Sequence, residues 1–306
     1  MSKVLIVGST ALDSVKTPFG DYENILGGSA IHASVSASFF APVNIVGVVG
    51  DDFPKEHIEM LHAHKIDTTG LQIIKGGKTF HWKGYYEKEM NHAHTIDTQL
   101  NVFADFKPTI PNSYKKTPFI FLANIDPDLQ LSVLEQMEKP KLTLLDSMNL
   151  WIDIKKDQLT KVMSKVDVVL LNEGEIRQYT GISNLIKAAQ EIQKLGMKTL
   201  IIKKGEHGAL MFNKDKIFAT SSFPVSSVKD PTGAGDSFAG GFIGYLAKTG
   251  DISEKNMRQA VIVGTTMASY IVEDFSCNRF LKLKKEDITQ RFSKLQNLCQ
   301  FEKLSF

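Results

Sequence analysis

Short, continuous apolar runs rich in branched side chains recur along the chain at Val4–Val7, Val43–Val49, Phe119–Ala123, Leu142–Leu145, Val166–Leu171 and Thr199–Ile202. Continuous rather than alternating runs predict strands covered on both faces. Between them lie helical patterns. Ala30, Ala33, Ala37 and Phe40 recur at i, i+3, i+7 and i+10. Met257, Ala260, Val261, Gly264, Met267, Ala268 and Ile271 draw a second stripe, and Ile288, Phe292, Leu295 and Leu298 a third. This alternation predicts crossover units and an α/β fold with a doubly wound, mainly parallel central sheet and helices on both faces. No linker, repeat or low-complexity tract interrupts it, so residues 1–306 read as one unit.

One stretch breaks the rhythm. Leu71–Ile74, Thr79–Tyr86 and roughly Thr95–Val102 are β-like with no helices between, and Gly76-Gly77 supplies a turn. Residues 71–103 therefore predict a small antiparallel β insertion. Too small to bury a core of its own, it is expected to pack over a site as a lid. Its segment Phe80-His81-Trp82-Lys83-Gly84-Tyr85-Tyr86 is aromatic, suited either to stack on a base or sugar face or to form a lid–lid homodimer contact.

Composition narrows the partners. Lysine plus arginine is 36 against 34 aspartate plus glutamate, a net charge of +2. That balance offers no basic footprint for nucleic acid and no polybasic membrane anchor, and no apolar run approaches the ~18 residues of a membrane span. Cys277 and Cys299 are the two cysteines, too few for a disulfide framework or a cysteine-built zinc site. A reduced, cytoplasmic protein acting on a small molecule is the expectation.

The densest chemical signal is Asp230-Pro231-Thr232-Gly233-Ala234-Gly235-Asp236-Ser237-Phe238-Ala239-Gly240-Gly241. Gly233, Ala234 and Gly235 open a helix with apolar residues Phe238, Phe242, Ile243 and Leu246. Small residues there leave the first backbone N–H groups uncovered, and the helix dipole adds positive charge at the same point, which makes an anion hole suited to phosphate. Asp236 at its rim can accept a proton from an incoming hydroxyl. The same segment also fits a plain glycine turn with a dipole-favouring aspartate.

Other leads close. Gly77-Lys78-Thr79 ends like a P-loop, but the first glycine of that motif falls on Gln72 and no helix pattern follows. A dinucleotide fingerprint at Gly233 fails on Phe238. Six histidines between His57 and His94 have irregular spacings unsuited to zinc.

The segment Asp230–Gly241 resembles the second signature of the ribokinase-like (PfkB) carbohydrate kinases, and the resemblance runs in order along nearly the whole chain. Gly27-Gly28 before a small-residue helix is similar to the first, di-glycine signature. Asn172-Glu173-Gly174-Glu175 matches the N-x-x-E motif, and Gly205-Glu206-His207-Gly208 the G-x-x-G nucleotide loop. The resemblance implies ATP-dependent phosphorylation of a hydroxymethyl group on a sugar or sugar-like metabolite. A nucleoside kinase with the same machinery is the near alternative, and a non-catalytic nucleotide or sugar sensor the distant one. It further implies Asp236 as base and Asp13, Gly27 and Gly28 around the acceptor. Asn172, Gly205, Gly208 and Thr232 would meet the nucleotide, with Asn172 and Glu175 near Mg2+. Some relatives hold a monovalent cation beside residues matching Asp230 and Thr232.

The residues leave alternatives open. Asp13 also fits a turn or cap, Asn172 and Glu175 a capping box, and Asp146 with Asn149, past another strand, either a phosphate-side pair or loop capping. Two features depart from the family pattern. His32 stands where many ribose kinases carry a sugar-contacting asparagine, and a ring nitrogen can replace the amide as a hydrogen-bond partner but not with the same reach or donor–acceptor choice, which leaves the acceptor's identity open. Glu206 would repel phosphate unless turned outward.

Overall fold

The computed structural model describes residues 2–302. Thirteen strands follow in chain order: β1 (Val4–Val7), β2 (Ala11–Thr17), β3 (Gly20–Gly27), β4 (Val43–Gly50), β5 (Ile66–Ile74), β6 (Phe80–Tyr86), β7 (Ala93–Gln99), β8 (Phe119–Leu122), β9 (Leu142–Leu145), β10 (Val168–Asn172), β11 (Thr199–Lys203), β12 (Ala209–Asn213) and β13 (Lys216–Thr220). Nine form a central sheet in the order β13-β12-β11-β10-β9-β8-β1-β4-β5. The strands from β11 to β5 run parallel, while β12 and β13 turn back antiparallel at one edge.

The continuous apolar runs follow from burial on both faces. In β1, Val4 and Ile6 join the core beneath helices Ser29–Ser38, Ala234–Thr249 and Glu254–Ile271. Leu5 and Val7 join the opposite core beneath helices Pro127–Gln136, Lys156–Met163, Glu173–Thr180 and Leu185–Gln193. Each such side chain stabilises the fold by roughly 1.5–3 kcal/mol on burial. No helix among the described residues is long and apolar enough to cross a membrane.

Strand order reverses between β1 and β8: from β1 the chain winds outward to β5, then returns to β8 and winds the other way. Open parallel sheets bind ligands at the carboxyl ends of strands around such a switch point. The turn after β1, Asp146 after β9, Asn172 ending β10 and Lys203 ending β11 therefore share one crevice edge.

A second, four-stranded sheet has the order β3-β2-β6-β7. Its outer pairs β2–β3 and β6–β7 are antiparallel, and the two hairpins join through a parallel β2–β6 pair. The small sheet is present, but its extent differs from the expected 71–103. Leu71–Ile74 ends β5, in register with Gly47–Gly50 of β4 in the central sheet. Gly76-Gly77 thus links the two sheets, Asn101–Asp105 is a short 3-10 helix, and half of the lid comes from residues 11–27. Asp13 and Lys16 interrupt the apolar pattern of β2, and its partner β6 lies far away in sequence, so local periodicity could not reveal the pairing.

Candidate active site

Helix Ala234–Thr249 begins at Gly233, whose φ of +76° is left-handed backbone that glycine tolerates. A Cβ there would also fall 2.4 Å from Cγ of His32. The segment before it is fixed by Asp230, buried, which accepts the N–H of Thr232 at 2.9 Å and that of Ser276 at 3.4 Å. Of the three amides expected to form the hole, Ala234 donates to the carbonyl of Pro231 at 3.2 Å. The N–H groups of Gly233 and Gly235 meet no protein acceptor among the described residues. The hole is thus narrower than the sequence implied, with two free amides at the positive helix end. Asp236 sits in the first turn. Burial, then the neighbouring Asp146, raise its pKa to about 7, while Lys203 works in the opposite direction.

Asp13 lies within β2, neither a turn nor a helix cap, and is 6% exposed. Its carboxylate rests against Gly27, where a Cβ would fall 1.9 Å from Oδ2, so only glycine fits. The nearby backbone N–H groups of Gly28 and Trp82 favour its charged form, yet burial, with Asp230 and Asp236 adding to it, raises its pKa to about 7. Gly28, with φ of +99°, caps helix Ser29–Ser38. His32 on that helix is not an open pocket residue: it is 2% exposed, with its ring packed behind Gly233. Its Nδ1 lies 3.6 Å from Sγ of Cys277 and its Nε2 has no protein partner. Burial pushes His32 down to about 4, so the ring is neutral.

At the ends of β9 to β11 the charges converge. Asn172 and Glu175 form a complete capping box: Glu175 N–H donates to Asn172 Oδ1 at 2.8 Å, and Asn172 N–H to Glu175 Oε2 at 2.6 Å. Burial raises Glu175 to about 7 against the pull of Lys203. Lys203, in register with Asn172, places its Nζ 2.5 Å from Oδ2 of Asp146. Asn149 starts an exposed helix and does not join this cluster. The Gly205–Gly208 loop is a 3-10 turn whose φ values of +54° and +92° at its two glycines favour glycine. Glu206 points outward, 68% exposed, and so does not oppose a phosphate in the crevice.

Sequence reasoning passed over Lys203, and it placed Tyr86 in the aromatic segment without its contact to Thr232. Lys203 follows an apolar strand with nothing local to mark it, and its partner Asp146 is 57 residues away. Tyr86, at the end of β6, is hydrogen-bonded through its hydroxyl to Oγ1 of Thr232 at 3.2 Å, tying the small sheet to the segment before helix Ala234–Thr249. Asp146, Glu175 and Asp236 are oxygen donors of the kind Mg2+ takes, though no three His, Cys, Asp or Glu among the described residues are grouped tightly enough to cage an ion. That fits an ion that retains waters and phosphate oxygens as ligands.

Comparison with known proteins gives the family and the fold. The chain matches the pfkB family carbohydrate kinase over residues 1–283. A cytidine kinase of Thermococcus kodakarensis is 29% identical over 253 residues, 80% of this chain and 89% of that protein. The crystal structure of Methanocaldococcus jannaschii nucleoside kinase, an archaeal member of the ribokinase family, has a TM-score of 0.76 at 21% identity, covering 96% of this chain and 99% of its own. An E. coli protein described as ribokinase II, in complex with ATP and Mg2+, has a TM-score of 0.77 at 19% identity, covering 96% and 100%.

Proposed function

This chain belongs to the pfkB family of carbohydrate kinases, phosphotransferases acting on an alcohol group of a sugar or nucleoside, and from that premise we propose that it transfers the γ-phosphoryl group of ATP to the hydroxymethyl group of a nucleoside. The observation that carries the chemistry is Asp236, raised to about 7, one residue past the free amide of Gly235. Asp236 accepts the acceptor's hydroxyl proton as its oxygen forms the new bond to phosphorus and the bond to the ADP oxygen breaks. The amides of Gly233 and Gly235 and the helix dipole hold the negative charge that develops on the migrating group. Mg2+ bound with the nucleotide would be held through water near Glu175 and Asp146, neutralising phosphate charge there. Little else is required, because phosphoryl transfer depends on positioning and charge compensation.

Asp13, accepting from two adjacent sugar hydroxyls, fixes the acceptor on the side opposite the nucleotide loop. The nucleoside assignment rests on the lid and on the cytidine kinase relative. Phe80, Trp82 and Tyr86 alternate on one face of β6, and Trp82 is in register with Asp13 of β2. The Trp82 ring lies over Gly84, where a Cβ would fall 2.2 Å from it, leaving an aromatic plane beside the sugar site on which a base can stack.

A coupled assay of ADP release with Mg-ATP against cytidine, uridine, adenosine, inosine, ribose and fructose tests this reading. At least one nucleoside is expected to exceed both free sugars in kcat/KM by about tenfold or more, the ~1–3 kcal/mol of a stacked base. Turnover confined to free sugars would overturn the nucleoside assignment while retaining the kinase.

A further inference from the structure

We propose that Lys203 is a catalytic residue, a mobile ammonium that leaves Asp146 to grip the transferring phosphoryl group beside the amides of Gly233 and Gly235. The inference rests on the kinase reading above and adds a residue that none of the recognised motifs contains.

Two observations point to it. First, place: Nζ of Lys203 lies 3.1 Å from where a Cβ on Gly235 would stand, at the second residue of helix Ala234–Thr249. An ammonium at the positive end of a helix is repelled by the dipole. Two positive features aimed at one point are reconciled by an anion between them. Second, the pair itself: Lys203 and Asp146 side chains are 16% and 5% exposed. A largely buried ion pair is weak as a source of stability, since apolar replacements often do as well. Its retention at the crevice edge therefore calls for another role.

The β11 backbone anchors the lysine stem in register with Asn172, so rotation about the side-chain torsions is sufficient to carry Nζ from Asp146 to a phosphate oxygen over Gly235. As the phosphorus–oxygen bond to ADP breaks and that to the acceptor forms, the charge on the migrating group meets two amides and one ammonium. Asp146, uncovered by the same movement, becomes available to the hydrated cation that accompanies the nucleotide.

The test uses the full chain as Lys203→Met, Lys203→Arg and the double variant Lys203→Met with Asp146→Asn, which leaves no unpaired buried charge. Calorimetry measures binding of ADP and Mg2+ with and without aluminium fluoride, a mimic of the migrating group, and thermal melting shows that each variant is folded. Wild type is expected to bind ADP more tightly with aluminium fluoride. In Lys203→Met the affinity for ADP alone should stay within about threefold, while the fluoride-dependent tightening and kcat fall by roughly 10²–10³; in the double variant both should fall at least as far. Lys203→Arg should recover part of both. In Lys203→Met, where Asp146 keeps its charge, the acid limb of the pH–rate profile shifts upward, because Lys203 lowers the pKa of Asp236. Wild-type turnover in the double variant would reduce Lys203 to a counter-ion of Asp146 and overturn the proposal, as would undiminished fluoride tightening in Lys203→Met. Absence of both tightening and ATP turnover in wild type would remove the kinase reading together with it.

Discussion

Asp13, Glu175 and Asp236 each carry a carboxyl raised to about 7 by burial, and all three border the same crevice. Perturbed groups gather at sites that must hold charge out of water. Activity and stability then run in opposite directions with pH. Asp236 works as a base only when ionised, so kcat/KM for the acceptor should climb through about pH 7 and level off above it. A flat profile between pH 5 and 8 with chemistry rate-limiting would contradict that role. For stability, carboxyls that ionise near 4 in the unfolded chain and near 7 in the folded one leave the native state holding more protons across that interval. Stability of the ligand-free protein therefore declines as pH rises from 4 to 7 and stays low above. Asp13→Asn removes one such penalty: its melting temperature at pH 8 should exceed that of wild type, while acceptor KM rises about tenfold or more as a charged hydrogen bond is lost. A lower melting temperature with unchanged KM would show that Asp13 is a structural group.

Helix Ala234–Thr249 serves both the site and the packing. Gly233 and Gly235 expose amides, whereas Gly240 and Gly244 let the helix press on helix Ser29–Ser38. A Cβ at Gly240 would fall 2.2 Å from the carbonyl oxygen of Ala33, and one at Gly244 2.8 Å from that of Ala37. The small residues after the anion hole are thus explained by helix packing, and the hole itself by the two glycines before them. Gly240→Val should cost about 1–3 kcal/mol or more, since backbone cannot move aside as a side chain can. Urea unfolding would show this as a lower midpoint, and an unchanged midpoint would mean the two helices are not in this contact. Elements of this kind were legible because their chemistry is consecutive: the apolar runs that became β1, β4, β8 and β9, and the stretch Asp230–Gly241. Lys203 was illegible for the converse reason, as its meaning lies in Asp146 and Gly235, which only the fold brings near it.

At the scale of the whole molecule, a parallel sheet supplies the strand ends that hold the charges, and a separate four-stranded sheet reaches the Asp230–Thr232 segment through Tyr86 and Asp13. The helix-free β-like stretch from Leu71 to Phe103 pointed to a small separate sheet, but not to residues 11–27 as half of it, because the β2–β6 pairing joins distant segments. That pairing puts Asp13 on the small sheet and Asp236 on the body, so in the proposed mechanism a closing movement of the small sheet brings acceptor and base together. The Tyr86–Thr232 hydrogen bond spans the same divide. Removing it in Tyr86→Phe should lower kcat/KM for the acceptor by about two- to tenfold, the ~0.5–1.5 kcal/mol of a neutral hydrogen bond. ATP hydrolysis without acceptor should rise, since a looser lid admits water. Wild-type values for both would place Tyr86 outside closure. The most direct test of the account is the single-turnover rate of Asp236→Asn with saturating Mg-ATP and acceptor, alongside its affinity for ATP. A fall of roughly 10²–10⁴ in rate with nucleotide affinity preserved is expected of a lost base; a rate within threefold of wild type would contradict it.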